Sequence, residues 1–207
     1  MNDPLIYARA VHFAATISVA GAVFFAVFIA EPAFRQAPDS TRLTVFVRSR
    51  LCWIAWSALA VTVVSGAAWL ILVAQSMSDS SLAEAFTPDV LGTVLPQTGF
   101  GRDWLARFAL ACLLGGVFIP FFSKPAGRSF WLSCIAVASA AGLTGTLVRA
   151  GHAAGGMGLE AVLHPAADFV HLVAASAWVG TLLPLALLLT AVGPDAASVA
   201  LACTATV

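Results

Sequence analysis

Long apolar runs with almost no charge constrain the fold of this chain more than any other feature of its sequence. Only 10% of the 207 residues are charged, whereas a soluble domain carries about 25% and needs them to cover its surface. An α-helix crosses a hydrocarbon layer of about 30 Å with roughly 20 residues. Five runs reach that length, and they are the predicted spans: Leu5 to Ala30, Leu51 to Ala74, Trp104 to Phe122, Ser129 to Val148 and Asp168 to Val192.

A sixth apolar run begins near Ala196 and is cut off at Val207. The sequence therefore predicts an all-α fold, a polytopic transmembrane helix bundle with five complete spans plus the start of a sixth. We expect residues 1–207 to form a single transmembrane domain that is truncated at its C-terminus. The lipid bilayer is the first partner that this composition predicts.

The basic residues are distributed unevenly between the connecting segments. Six of the ten lie between the first and second spans or between the third and fourth: Arg35, Arg42, Arg48, Arg50, Lys124 and Arg128. The positive-inside rule makes these segments cytoplasmic, so the N-terminus and the connections 76–103 and 149–167 face outward. Arginines on the other side lie mostly near helix ends, where they can snorkel: Arg9, Arg102, Arg107 and Arg149. Ten basic residues balance ten acidic ones, so the net charge does not favour nucleic acid as a partner.

Four histidines and one aspartate lie near the predicted outer ends of the helices. His164, Asp168 and His171 are spaced i, i+4, i+7 and form one stripe, while His12 and His152 belong to the first and fourth spans. Histidine is the commonest metal ligand and a carboxylate can orient it, so these residues predict a metal site. The alternative is structural: hydrogen-bonded packing histidines, loop histidines, and an aspartate that stabilises a helix start.

One pattern occurs twice in the chain. Val11-His12 is followed by Ala15 and Gly21, and Val170-His171 is followed by Ala174 and Gly180 at the same spacings. Two parallel helices in matching register would hold both histidines at equal depth, where they could share one metal ion. A parallel duplication explains the pattern, and chance similarity in an Ala/Val/Gly-rich background is the alternative.

Several motifs resemble the bacterial copper-resistance protein D family. They are Arg9-Ala-Val-His-Phe13, Leu95-Pro-Gln-Thr-Gly-Phe-Gly-Arg-Asp-Trp104, Gly151-His-Ala153 and Asp168-Phe-Val-His-Leu-Val-Ala-Ala-Ser-Ala-Trp-Val-Gly180. The resemblance implies a cell inner-membrane protein of about eight helices that handles copper, often beside a periplasmic copper-binding protein. It also implies a periplasmic location for the outward-facing N-terminus.

The residues and the resemblance together predict copper transport or delivery, with His12, His152 and His171 as ligands of a copper ion and Asp168 and His164 beside them. No catalytic Ser/His/Asp or Cys/His arrangement is apparent, so we do not expect an enzyme. One alternative is a haem-binding electron-transfer protein with facing histidines, and another is a structural membrane subunit without a cofactor. The oxidation state of the copper, the direction of transport and its energy coupling stay open at this point.

Overall fold

The computed structural model describes residues 3–36, 41–78, 81–85, 87–123, 129–148 and 160–204, and this part of the chain contains helices and no strand. Four stretches have the length and apolar composition to cross a membrane: Pro4–Gln36, Thr44–Met77, Gly99–Ser123 and Val162–Thr190. The helices are α1 (Pro4–Phe24), a π-helical segment (Phe25–Ala30), α2 (Glu31–Gln36), α3 (Thr41–Ser78), α4 (Leu82–Ala85), α5 (Pro88–Gln97), α6 (Gly99–Ser123), α7 (Phe130–Gly145) and α8 (Glu160–Thr204).

The all-helical bundle is confirmed, but the expected five complete spans plus the start of a sixth are wrong in two places. The fourth predicted span is α7, whose 16 residues fall short of the roughly 20 that a bilayer requires. It ends at Gly145, a residue type that commonly terminates helices. The sixth apolar run is part of α8, which continues to Thr204 without a break. The Gly193-Pro194 pair separates two apolar runs in the sequence but does not end the helix, and such residues are tolerated in membrane helices.

The first helix lies at the centre of the bundle, where it packs against α3, α7 and α8. The most apolar part of Pro4–Gln36 is 61% buried, whereas that of Val162–Thr190 is only 17% buried. The core around it is built from buried side chains of α1, the π-helical segment, α3, α6 and α7, among them Phe25, Phe118 and Leu143. Most of the surface of Val162–Thr190 is therefore free of contacts with the rest of the described chain.

The N-terminal end of the bundle is the end at which α1 begins. There the end of α7 packs against the start of α8. Gly145 lies so close to Phe169 that a Cβ atom on the glycine would overlap the phenyl ring. Farther along α8, Pro184 and Leu188 line a small cavity together with Leu51 near the start of α3. Since α3 returns toward the N-terminal end, these contacts make α1 and α8 parallel.

The two parallel helices make their closest contact at a pair of glycines. A Cβ atom on Gly21 would overlap the backbone of Gly180, and one on Gly180 would lie 2.9 Å from the Cα of Gly21. These glycines hold the same place in the repeated pattern, nine residues after His12 and His171. The matching register predicted from the repeat is thereby confirmed, with the two histidine positions at similar depth.

A proline shapes the far end of α1. Pro32 follows the π-helical segment Phe25–Ala30, and the helix continues past it to Gln36. A proline ring clashes with the carbonyl group four residues earlier in an α-helix, and a wider π-helical turn relieves that clash. Arg48 then closes this end of the bundle by donating to both carboxylate oxygens of Glu31, at 3.0 and 3.1 Å.

Candidate functional site

His12 is buried between α1 and α3, with only 2% of its surface exposed. Its Nδ1 lies 3.0 Å from the carbonyl oxygen of Thr62 and 3.3 Å from Oγ of Ser65. Because a carbonyl oxygen only accepts hydrogen bonds, the contact with Thr62 assigns the ring proton to Nδ1. In the neutral imidazole the opposite nitrogen, Nε2, is then an unprotonated lone-pair donor.

That free nitrogen is buried and has no hydrogen-bond partner among the described residues. His12 lines a cavity of about 20 Å³, the His12 cavity, together with Thr62, Gly66, Trp104, Arg107 and Leu143 among others. A volume of this size holds one water-sized ligand. The combination of a fixed imidazole and a small adjacent space is a candidate binding site.

Arg107 contributes a buried cation to the same cavity. It lies about two turns into α6 and is 4% exposed. Its Nε donates to Oγ1 of Thr146 at 3.1 Å and its Nη2 to the carbonyl oxygen of Thr146 at 2.8 Å, whereas no described residue accepts from Nη1. The interpretation of Arg107 as a residue that snorkels from a helix end is wrong, because Thr146, directly after α7, supplies acceptors inside the bundle.

The indole ring of Trp69 contacts both His12 and Arg107. Trp69 is 3% exposed and contacts His12 edge to face, with ring centroids 5.5 Å apart. The Cζ atom of Arg107 lies 4.7 Å from the same ring, and that of Arg9 lies 5.5 Å from it. Cations are attracted to the faces of such rings, so Trp69 holds two guanidinium groups close to His12.

A glycine allows α3 to approach the imidazole closely. A Cβ atom on Gly66 would lie 3.1 Å from Cε1 of His12, which is tighter than ordinary packing. The carbonyl oxygen of Gly66 also accepts a hydrogen bond of 3.0 Å from Nε1 of Trp104, whose ring stacks on Phe108. These contacts fix one wall of the His12 cavity.

The other predicted ligands lie elsewhere. His164, Asp168 and His171 are all exposed on α8, while the contacts of His12 given above are with α3. His152 lies outside the described residues. Within the described part of the chain, no group of three or more His, Cys, Asp or Glu residues is arranged to hold a metal ion. The structure thus brings together His12 and Arg107, which the sequence analysis did not pair, and the described members of the expected cluster do not meet at His12.

Comparison with known proteins identifies the family. A family model described as copper resistance protein D-like, N-terminal domain, matches residues 1–162. The chain belongs to this family. It is also 26% identical over 176 residues to inner membrane protein YebZ of Escherichia coli (strain K12), an alignment that covers 85% of this chain and 54% of YebZ. The chain therefore spans about half the length of that curated relative, and no solved structure matches it.

The family match confirms the resemblance drawn from the sequence motifs. As a copper resistance protein D-like chain with four helices long enough to span a bilayer, the protein is a multi-pass membrane protein. The matched residues 1–162 contain His12, Arg107 and every other residue named as lining the His12 cavity. The stripe of His164, Asp168 and His171 begins just beyond them.

Proposed function

We propose that this chain moves or delivers copper across the bacterial inner membrane, with copper as its substrate and His12 as a ligand. The main support for this proposal is the hydrogen bonding of the His12 imidazole. Its Nδ1–H donates to the Thr62 carbonyl at 3.0 Å, while Nε2 is buried and has no hydrogen-bond partner among the described residues. Histidines that bind metals typically donate their second ring N–H to such an acceptor. A small cavity beside His12 offers space for one ion.

The comparisons support the substrate and the location. The family description names copper resistance, and the name of the relative from Escherichia coli states that it is an inner membrane protein. Long apolar helices agree with a multi-pass protein in that membrane. Because ionisable side chains within a membrane are costly, a buried histidine and arginine at one level of the bundle are themselves a functional signal.

We propose that the remaining predicted ligands also bind copper. They would do so at the N-terminal end of the bundle, which we take as periplasmic. His171 lies at a depth similar to that of His12, and Asp168 and His164 lie closer to the start of α8. Their exposed side chains would receive copper, together with His152, from a periplasmic copper-binding protein. Imidazole nitrogen and carboxylate oxygen are both competent copper ligands.

The small size of the His12 cavity favours copper over the haem alternative. A space of about 20 Å³ accepts a single ion or water molecule, whereas a porphyrin needs a cleft of several hundred Å³. An absorption spectrum of the purified protein tests this directly. Strong Soret absorption would indicate haem and would overturn the copper proposal.

Copper accumulation in cells tests the proposed function. Cells that express the protein should change their copper content relative to cells without it, and His12→Ala should abolish that change by removing the ligand. Ser18→Ala is the matched control, because Ser18 lies on the same helix and its Oγ donates locally to the carbonyl oxygen of Ala14, at 2.8 Å. Copper content that responds equally to the native protein and to His12→Ala, at equal expression in the membrane, would contradict the proposal.

A further inference from the structure

The guanidinium group of Arg107 and the imidazole of His12 line the same cavity and contact the same ring, that of Trp69. We propose that the His12 cavity selects monovalent copper, Cu(I), over divalent copper, and that Arg107 is the residue that imposes this selection. The inference rests on the proposed function and deepens it by naming the oxidation state of the substrate. It is carried by a neutral imidazole and a guanidinium cation that are both more than nine-tenths buried and line one cavity.

The repulsion between Arg107 and a bound ion scales with the charge of the ion. An arginine side chain stays protonated in proteins, and two like charges a few ångströms apart inside a protein repel strongly because little water screens them. A divalent ion at Nε2 of His12 meets twice the repulsion that a monovalent ion meets. The positive charge of Arg107 therefore lowers the binding constant of a monovalent ion by some factor, and it lowers the binding constant of a divalent ion by the square of that factor.

Arg107 is held in place and cannot easily withdraw its charge. Two hydrogen bonds to Thr146 and the face of Trp69 fix the guanidinium. Arg9 adds a second cation over the same indole. Asp103, one turn before Arg107 on α6, attracts both the arginine and a bound ion. Asp103 and Arg9 are both only partly buried, so solvent screens their opposite charges more strongly than the charge of Arg107.

The small number of donor atoms also favours the monovalent ion. Among the residues named as lining the His12 cavity, the imidazole of His12 is the one side chain with a lone pair that metals prefer, and none of them is a carboxylate or a thiol. Divalent copper prefers four ligands in a tetragonal arrangement, whereas Cu(I) accepts low coordination numbers. A narrow cavity with one imidazole thus suits a transiently bound monovalent ion.

Silver(I) and zinc(II) are suitable probes, because both are redox-inert ions with filled d shells that differ in charge. The full chain in detergent is titrated with each metal, and the part of the binding that His12→Ala removes is taken as the signal of the site. Arg107→Gln should raise the affinity of this site roughly tenfold for silver(I) and roughly a hundredfold for zinc(II). Arg107→Lys keeps the charge and should keep the preference for silver(I).

Arg102→Gln provides the matched control, since Arg102 lies on the same helix with an exposed side chain and should change neither affinity by more than about twofold. Equal gains for both metals in Arg107→Gln, or no gain at all, would overturn the selection by Arg107. If Arg107→Gln does not fold, the comparison is made between the native chain and His12→Ala. His12→Ala must then lower the affinity for silver(I) more than the affinity for zinc(II), and the reverse order overturns the inference. Binding of both metals that ignores His12 would instead overturn the proposed function.

Discussion

Two buried polar atoms near the N-terminal end of the bundle, Nε2 of His12 and Nη1 of Arg107, have no hydrogen-bond partner among the described residues. Buried polar groups in proteins are normally satisfied, and leaving one unpaired costs about 1–3 kcal/mol. Both atoms belong to side chains that line the same cavity. A metal ion in that cavity would satisfy Nε2 alone, because Nη1 is an N–H donor and needs an acceptor such as water.

His12 and Arg107 also differ in how visible they are in the sequence. A histidine in an apolar run marks itself as a candidate ligand, because neither packing nor solubility requires it there. Arg107 has the same signal, since it lies about two turns inside α6, but its position near a helix end admits snorkelling as an explanation. The acceptors that settle the matter belong to Thr146 on the segment after α7, and no pattern within α6 indicates them.

At the scale of the helices, the contact between α1 and α8 holds the two copies of the repeated pattern in register. Gly21 and Gly180 let the two backbones touch, and small residues at such crossings are typical of helix packing in membranes. Any side chain at the crossing would separate α1 from α8. The relative depth of His12 and His171 therefore depends on these two glycines.

The close contact predicts a sharp difference between glycine positions. Gly21→Ala should destabilise the protein by about 1–3 kcal/mol, because its new Cβ atom overlaps the backbone of Gly180. Gly116→Ala is the control, since a Cβ atom at Gly116 in α6 meets nothing within 4 Å and alanine is the better helix former by about 1 kcal/mol. Thermal unfolding in detergent measures both variants, and equal unfolding temperatures would contradict the described crossing.

At the scale of the whole molecule, the orientation in the membrane is a prediction from the basic residues between the spans. Gly92 lies on α5, in the connection between α3 and α6, with open space around it. In a variant without the native cysteines, Gly92→Cys should react with an impermeant maleimide in intact cells, and Arg35→Cys should react only after permeabilisation. The opposite pattern would show that the N-terminal end of the bundle faces the cytoplasm.

The sequence predicts the helical architecture well because apolar runs of span length leave few alternatives to helices in lipid. Helix ends are less predictable: α7 is shorter than its apolar run, and α8 continues through Pro194. The candidate site likewise has one part that the sequence predicts and another part that it does not. His12 is recognisable from its surroundings in the sequence, but its contacts with Thr62 and Ser65 join residues about fifty positions apart, and no local pattern encodes such a pairing.

The proposed function in copper handling requires that His12 binds the ion. The most direct measurement is a titration of the purified full chain and of His12→Gln with copper in both oxidation states, with thermal unfolding recorded to establish that the variant is folded. Since the variant lacks the imidazole, we expect it to lose at least about tenfold in affinity for Cu(I), comparable to the effect of losing a metal-site residue. An affinity that is the same in both proteins, for Cu(I) and for Cu(II), would contradict the account.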